Sequence, residues 1–313
     1  MKKIGDMAQQ QTGDLLDGVT DPAMKKALVR FQKTLHDPKH PKHREAQVRS
    51  NKAQDQAQVV QLPLWPEPAR GVPNSALRGA LFAAVQGKNR CYIKGKLLAV
   101  QSGIQIRFTG MQLDQSDLDV WEQALHLARH HPLGTRCEFT AHAFLKALGR
   151  KTGKSDHEWL KDVFRRLMSC GVEITHDNLT YGGSLLEFYR EESNQLYALE
   201  INPKLKRLYT AGWTATDWEQ RRLLRRKPLA LWLHGFLSTH AEPHPMKVKT
   251  LMELSGSNAK QIFHFKANLK KALGDLKITG TINDYRIEGD LVSVERIPSA
   301  SQKKHLFKPK PRK

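Results

Sequence analysis

Cysteine, long apolar runs and acidic charge are all scarce in this chain, and each shortage removes a class of protein. Three cysteines, Cys91, Cys137 and Cys170, are spread over 313 residues. None has C-x-x-C or Cys/His ligand spacing, so each reads as a buried free thiol and no disulfide framework or zinc site is expected. No stretch of about 18 apolar residues occurs, which leaves no candidate transmembrane helix. Met1-Lys2-Lys3-Ile4-Gly5-Asp6 turns polar at once and lacks the apolar core of a secretory signal. A cytoplasmic protein with no membrane partner is expected. Acidic residues number 31 against 51 Lys and Arg, a net charge of +20. The expected partner is therefore a polyanion, because each cation docked on a phosphate releases condensed counterions and adds salt-sensitive affinity. Charge alone does not separate DNA from RNA or anionic lipid.

Catalytic patterns are missing as well. H-E-x-x-H and G-x-S-x-G do not occur, nor does a histidine pair beside a tyrosine nucleophile. Gly149-Arg150-Lys151-Thr152-Gly153-Lys154-Ser155 comes near a phosphate-binding P-loop. It is one residue short, however, and follows an amphipathic helix where a P-loop leaves a buried strand. His36, His40 and His43 sit among prolines in a basic linker; His126 and His130, with His131 adjacent, have no third ligand in view and read as a surface pair. The chain is read as a non-enzyme with no cofactor and no metal, with a P-loop ATPase using Lys154 as the enzyme alternative.

Residues 1–60 are polar, hold one short candidate helix over 23–35, and read as a mostly disordered basic extension. Residues 61–73, with prolines at 66, 68 and 73, read as a linker. From Asn74, an N-cap, the patterns run helix, hairpin (92–100 and 104–108, around Ser102-Gly103) and a helix over 118–128 that starts at Asp114 to Asp117. A short helix over 143–148, a longer one over 155–169, and strands at 172–175, 185–189 and 195–201, with a turn near Gly182-Gly183, complete a winged-helix domain over 74–201. The order returns over 202–298, as helices 203–209, 217–237, 247–254 and 258–273 and then strands 278–282 and 286–295. The fold class is α+β: two tandem winged-helix domains with a flexible N-terminal extension and a basic C-terminal tail, 299–313. Pro309 and Pro311 deny that tail a helix.

In the helix over 258–273, Ile262, Phe265, Leu269, Ala272 and Leu273 fall on one stripe at roughly 100° per residue. Ser257, Lys260, His264, Asn268 and Lys271 are left on the polar face. That mixture suits the reading of base edges: lysine for guanine or phosphate, asparagine for adenine, serine for either. The preceding helix and the turn Ser255-Gly256-Ser257 make this a recognition helix, and Arg286, near a hairpin tip at Asn283-Asp284-Tyr285, is the contact of a wing. Arg221, Arg222, Arg225, Arg226 and Lys227, clustered on one helix, add phosphate binding. In the first domain a stripe of Trp159, Val163, Leu167 and Cys170 leaves Lys154, Lys161 and Arg165 exposed. The acids Asp156, Glu158 and Asp162 share that helix, so it has two readings, a second DNA contact or a self-association surface.

Pro73-Asn74-Ser75-Ala76-Leu77-Arg78, Ala80-Leu81-Phe82, Ile106-Arg107-Phe108-Thr109-Gly110-Met111-Gln112-Leu113, Asp119-Val120-Trp121-Glu122-Gln123-Ala124-Leu125 and Pro132-Leu133-Gly134 carry a further signal. Together they resemble the TrfA family of plasmid replication initiators. Weaker similarity continues through Lys227-Pro228-Leu229-Ala230-Leu231-Trp232-Leu233-His234 to the final hairpin. The resemblance implies binding to repeated double-stranded origin DNA (iterons) as a monomer and opening of an adjacent A·T-rich segment, with contact to its single strands. It also implies recruitment of the replicative helicase, the host initiator DnaA and polymerase machinery, and dimerisation for copy control. Gln61-Leu62-Pro63-Leu64-Trp65 is similar to the peptide that bacterial proteins insert into the β sliding clamp, with Pro63 and Trp65 where Ser or Asp and Phe are usual. Gln61 would bond at the groove mouth while Leu62, Leu64 and Trp65 bury apolar area; packing of the segment on its own domain is the other reading. For the whole chain, a winged-helix transcriptional regulator is the remaining alternative.

Overall fold

The computed structural model describes residues 21–24, 26, 60–101, 103–190, 196–299 and 302–303. The chain divides into two units, Met1–Val59 and Val60–Lys313. In the first, residues 22–24 are helical and the Asp21 carboxylate accepts the Ala23 N–H at 2.9 Å. Most of the expected helix over 23–35, His36, His40 and His43, and the tail beyond Lys303 lie outside the described residues.

The second unit opens with β1 (Ala69–Pro73), a short helix α1 (Asn74–Leu77) and β2 (Phe82–Ala83). β3 (Tyr92–Leu98) and β4 (Ile104–Met111) form the expected antiparallel hairpin, and β4 turns Ile104, Ile106 and Phe108 inward because a strand's side chains alternate between faces. β5 (Leu113–Asp114) pairs in parallel with β2 and leads into α2 (Gln115–Ala128). The start of α2 is fixed by chemistry local to the sequence. The Asp114 carboxylate accepts the N–H groups of Ser116 and Asp117 at 2.9 and 3.1 Å, and the Asp117 carboxylate accepts the Asp114 N–H at 3.0 Å. This reciprocal pair satisfies donors that a helix start leaves orphaned.

β6 (Cys137–Thr140), α3 (Ala141–Ala147) and α4 (Lys154–Ser169) follow, then β7 (Gly171–His176), β8 (Leu179–Gly183), β9 (Glu187–Arg190) and β10 (Leu196–Glu200). The sheets order as β3-β4-β7-β8 and β6-β10-β9. The hairpin after α4 turns at Asp177-Asn178, where Asp177 takes a φ of 51°. These two residues tolerate a left-handed turn, whereas Gly182, expected near the turn, pairs with Glu173 inside the strand.

After α5 (Lys206–Thr210), β11 (Trp213–Asp217) returns to pair antiparallel with β1. The latter part of the expected linker is thus a strand of the first core. The single helix expected over 217–237 is two, α6 (Trp218–Leu223) and α7 (Pro228–Ser238). Pro228 lacks an N–H and crowds the turn before it, so it opens a helix where it cannot continue one. β12 (Met246–Lys247), α8 (Val248–Leu254), α9 (Ile262–Ile278), β13 (Ile282–Glu288) and β14 (Leu291–Arg296) complete the fold, with sheet order β12-β14-β13. The β13–β14 turn falls at Gly289-Asp290, with Gly289 at φ 58°, and the expected tip Asn283-Asp284-Tyr285 lies within β13.

The result is a mixed α+β chain with two apolar cores. One draws on residues from Leu62 to Trp218, the other on residues from Leu224 to Val292. α7 is apolar nearly all round, with Ala230 to Ser238 buried and His234 among them, and it packs within the second core, as such a helix must if its surface is to leave water. The cores are joined by polar contacts: Arg78 Nε donates to Thr239 Oγ1 at 3.0 Å, Trp232 Nε1 to the Gly79 carbonyl at 3.0 Å, and the Ala84 N–H to the Ser255 carbonyl at 2.7 Å. Gly256 is required there twice over, by its φ of 61° and because a Cβ would stand 2.9 Å from the Ala83 methyl. Among the described residues no helix is long and apolar enough to cross a membrane.

Candidate nucleic-acid interface

α8, the turn Ser255–Gln261 and α9 form a helix-turn-helix followed by the β13–β14 hairpin. α9 begins at Ile262, four residues later than expected, because the chain leaves α8 through the left-handed Gly256 and stays irregular to Gln261. Ser257 and Lys260 therefore stand on the loop that leads into the helix; the Ser257 hydroxyl accepts the Ala259 N–H at 3.2 Å. Phe265, Leu269, Ala272, Leu273 and Leu276 face the core, while Ile262, expected on that stripe, is 43% exposed at the helix start.

His264, Asn268 and Lys271 are exposed on α9, and Lys260 is exposed on the approach to it. Asn268, Lys271 and Ser257 also line a recess of about 450 Å³ with Asn89, Lys227 and Asn258. Lys227 is not free for phosphate in this arrangement, since its Nζ lies 2.7 Å from Asp275. Arg286 is strongly exposed in the body of β13, with Glu288 4.0 Å away. The helical stripe and its polar complement leave out Phe263, Lys266 and Lys270 on the same helix. Lys266 Nζ donates to the Gly289 carbonyl, and the Tyr285 hydroxyl donates to the Lys270 carbonyl at 3.4 Å, so the hairpin is fastened along this side of α9.

On α4 the buried stripe is Leu160, Val163, Phe164 and Leu167; Trp159 is half-buried beneath the Arg150 guanidinium, 3.6 Å above its ring. Two of the three candidate cations are already paired within the helix, Lys161 with Glu158 at 2.6 Å and Arg165 with Asp162 at 2.9 Å, while Lys154 is exposed at its start. Exposed i, i+3 pairs of this kind contribute little and exchange easily. The P-loop-like segment joins helix α3 to helix α4, and Arg150 is bound to Asp156 at 3.0 Å.

The arginine cluster expected as one phosphate-binding face is divided. Arg221 is buried: its Nε lies 2.6 Å from Asp119 and 3.3 Å from Glu122. Burial pushes the Glu122 carboxyl up to about 7 against the pull of Arg221. Arg222 pairs with Glu219 at 2.9 Å and Arg225 donates to the Gly149 carbonyl at 2.6 Å, whereas Arg226 is exposed.

The segment 61–65 packs on the first core. Leu62 and Trp65 are buried, Trp65 stacks on Tyr209 with centroids 6.3 Å apart, and Gln61 Nε2 donates to the Arg129 carbonyl at 3.1 Å. Only Leu64 of the apolar three is presented to solvent. Trp65 Nε1 donates to His126 Nδ1 at 3.0 Å, and His126 Nε2 lies 2.9 Å from Glu67. His126 is thus a buried hydrogen-bonding residue and not half of a surface pair. Burial lowers its pKa to about 4, helped by Arg70, so the ring is neutral, accepting from Trp65 and donating to Glu67.

A helix-turn-helix with an exposed, cation-rich second helix and a hairpin fastened beside it defines a candidate duplex-binding protein of mixed α+β fold. The model of the TrfA family, described as TrfA protein, matches residues 39–296, well over half of the chain, and the chain belongs to that family. The plasmid replication initiator protein TrfA of Escherichia coli is 25% identical over 304 residues, covering 93% of this chain and 78% of that protein. Among solved structures, domains 2 and 3 of RctB are similar at a TM-score of 0.50 and 13% identity, covering 72% of this chain and 98% of that one. The Pi initiator protein, solved in complex with iteron DNA, has a TM-score of 0.45 at 13% identity, covering 59% of this chain and 94% of that one.

Proposed function

We propose that this chain is a plasmid replication initiator that binds repeated origin DNA, without catalytic activity of its own. The observation that carries the proposal is membership of the TrfA family across both cores, joined to a helix-turn-helix whose exposed face is polar and basic. We read the two cores as tandem winged-helix domains that meet between Trp218 and Leu224, preceded by the extension 1–60 and followed by the basic tail 299–313. Ser257, Lys260, His264, Asn268 and Lys271 approach the major groove from α9 and its leading loop, and Arg286 approaches phosphate from the hairpin. Lys154, Lys161 and Arg165 on α4 provide a weaker second contact, because two of them must first give up acids on their own helix.

In this reading the bound protein helps open a neighbouring A·T-rich segment, recruits the replicative helicase and DnaA in the cytoplasm, and self-associates as a dimer. Engagement of the β sliding clamp through Gln61, Leu62, Leu64 and Trp65 requires the segment to leave its packed position, since two of those side chains are buried. The test is a replication assay. A plasmid carrying the DNA that flanks this gene, and lacking any other origin, is expected to be maintained only when the chain is supplied in trans. Maintenance without the chain, or none with it, overturns the proposal.

A further inference from the structure

Phe263 is 72% exposed, one residue inside the start of α9. Ile262 beside it is 43% exposed, and Ala267, Tyr285 and Ile287 line the same face, so Phe263 heads an exposed apolar patch set among cations, the kind of surface feature that marks an interaction site. It lies opposite the buried Phe265–Leu269–Leu276 face, on an outward strip that continues through Ala267 and Lys270 at i, i+4 and i+7. The His264 ring stands edge-on to it at 5.7 Å. Beside the strip runs a shallow groove of about 440 Å³ lined by Phe263, Ala267, Tyr285 and Ile287 together with Lys266, Lys270 and Arg286.

No acid lines that groove, and three cations do. The charge favours a polyanion over a protein partner or a second copy of this strongly basic chain. In the major groove of duplex DNA the edges of the bases are polar with one exception, the C5-methyl of thymine. We propose that Phe263 reads thymine by packing on that methyl, with Lys270 and Arg286 holding the flanking phosphates and Ala267 leaving room for the base edge to approach. The inference rests on the initiator reading above and assigns to the outward strip of α9 a specificity that its polar residues do not supply.

The test uses the full chain and the duplex it selects from a randomised pool, with thymine replaced by uracil at one position at a time. Wild type is expected to lose about fourfold in affinity at one position per binding site, the worth of one buried methyl. Phe263→Ala is expected to bind about tenfold more weakly and to bind the thymine and uracil duplexes equally, with an unchanged melting temperature. Phe263→Leu is expected to restore a preference for thymine. Indifference of wild type to every replacement, or a Phe263→Ala protein that still prefers thymine at the same position, overturns this inference alone. Failure of wild type to select any sequence overturns the initiator reading and this inference with it.

Discussion

Arg221 is a buried charge that ties the two cores together, and removing it is the most informative perturbation of the fold. Its Nε lies 2.6 Å from Asp119 and 3.3 Å from Glu122 on α2. Its terminal nitrogens donate to the Gln115 carbonyl at 3.3 Å, the Gln115 side-chain oxygen at 3.1 Å and the Leu231 carbonyl at 3.3 Å on α7. Arg221→Met keeps most of the stem and removes every donor. The buried Glu122 and the partly exposed Asp119 then lose their counter-charge, and breaking a buried pair from one side costs about 3–5 kcal/mol. The pH dependence follows from Glu122, whose carboxyl sits at about 7, above its ordinary value. A raised group of this kind stabilises the fold below its unfolded pKa and loses that contribution as pH rises through the folded value. Without Arg221 the carboxyl rises further and the loss at high pH deepens. Urea unfolding followed by circular dichroism is expected to show the full cost at pH 8 and a smaller one at pH 5, where Glu122 is neutral in both proteins. A loss below about 1 kcal/mol at pH 8, or a larger loss at pH 5, refutes the reasoning.

Three further outcomes are expected. His234 is fully buried with both ring nitrogens unbonded, and burial with Arg221 and Arg296 nearby lowers its pKa to about 3. Its stabilising contribution is present above the ordinary histidine range and is lost as pH falls towards that value, so His234→Leu is expected to flatten the acid limb of stability between pH 6 and 3; an unaltered limb contradicts this. At Gly71 a Cβ would stand 2.3 Å from the Trp65 ring, so Gly71→Ala is expected to cost about 1–3 kcal/mol and to shift tryptophan emission to the red. Unchanged emission and stability would show that the segment 61–65 is not packed as described. In DNA binding, Lys260→Ala with Lys271→Ala is expected to reduce the slope of log affinity against log salt by roughly 0.9 for each phosphate that is no longer neutralised; an unaltered slope places both lysines off the backbone.

The parts legible in the sequence are those written in local chemistry. Asp114 and Asp117 announce the start of α2, and the spacing of Phe265, Leu269, Ala272 and Leu273 identifies α9 and its buried face. What escaped depends on residues far apart in the chain. Nothing near Ala69–Pro73 says that Trp213–Asp217 will return to pair with it. Arg221 reads as one of five clustered cations until Asp119 and Glu122, about a hundred residues earlier, fold against it. Gln61–Trp65 has the same pattern whether it serves a partner or its own core, and the rings of Tyr209 and Trp213 that receive Trp65 lie far along the chain. Two features do carry a local signal. Pro228 marks the break between α6 and α7, and three apolar residues within Ile262–Phe265 cannot all face one side of a helix, which leaves Phe263 in water.

Recognition of repeated DNA is open to a nuclease footprint of the full chain on the DNA flanking its own gene. Several protected segments of related sequence are expected, evenly spaced and in one orientation, with protection abolished when Lys260 and Lys271 are changed to alanine. A single protected site at a promoter supports a transcriptional regulator instead, and no protection at all contradicts sequence-specific binding.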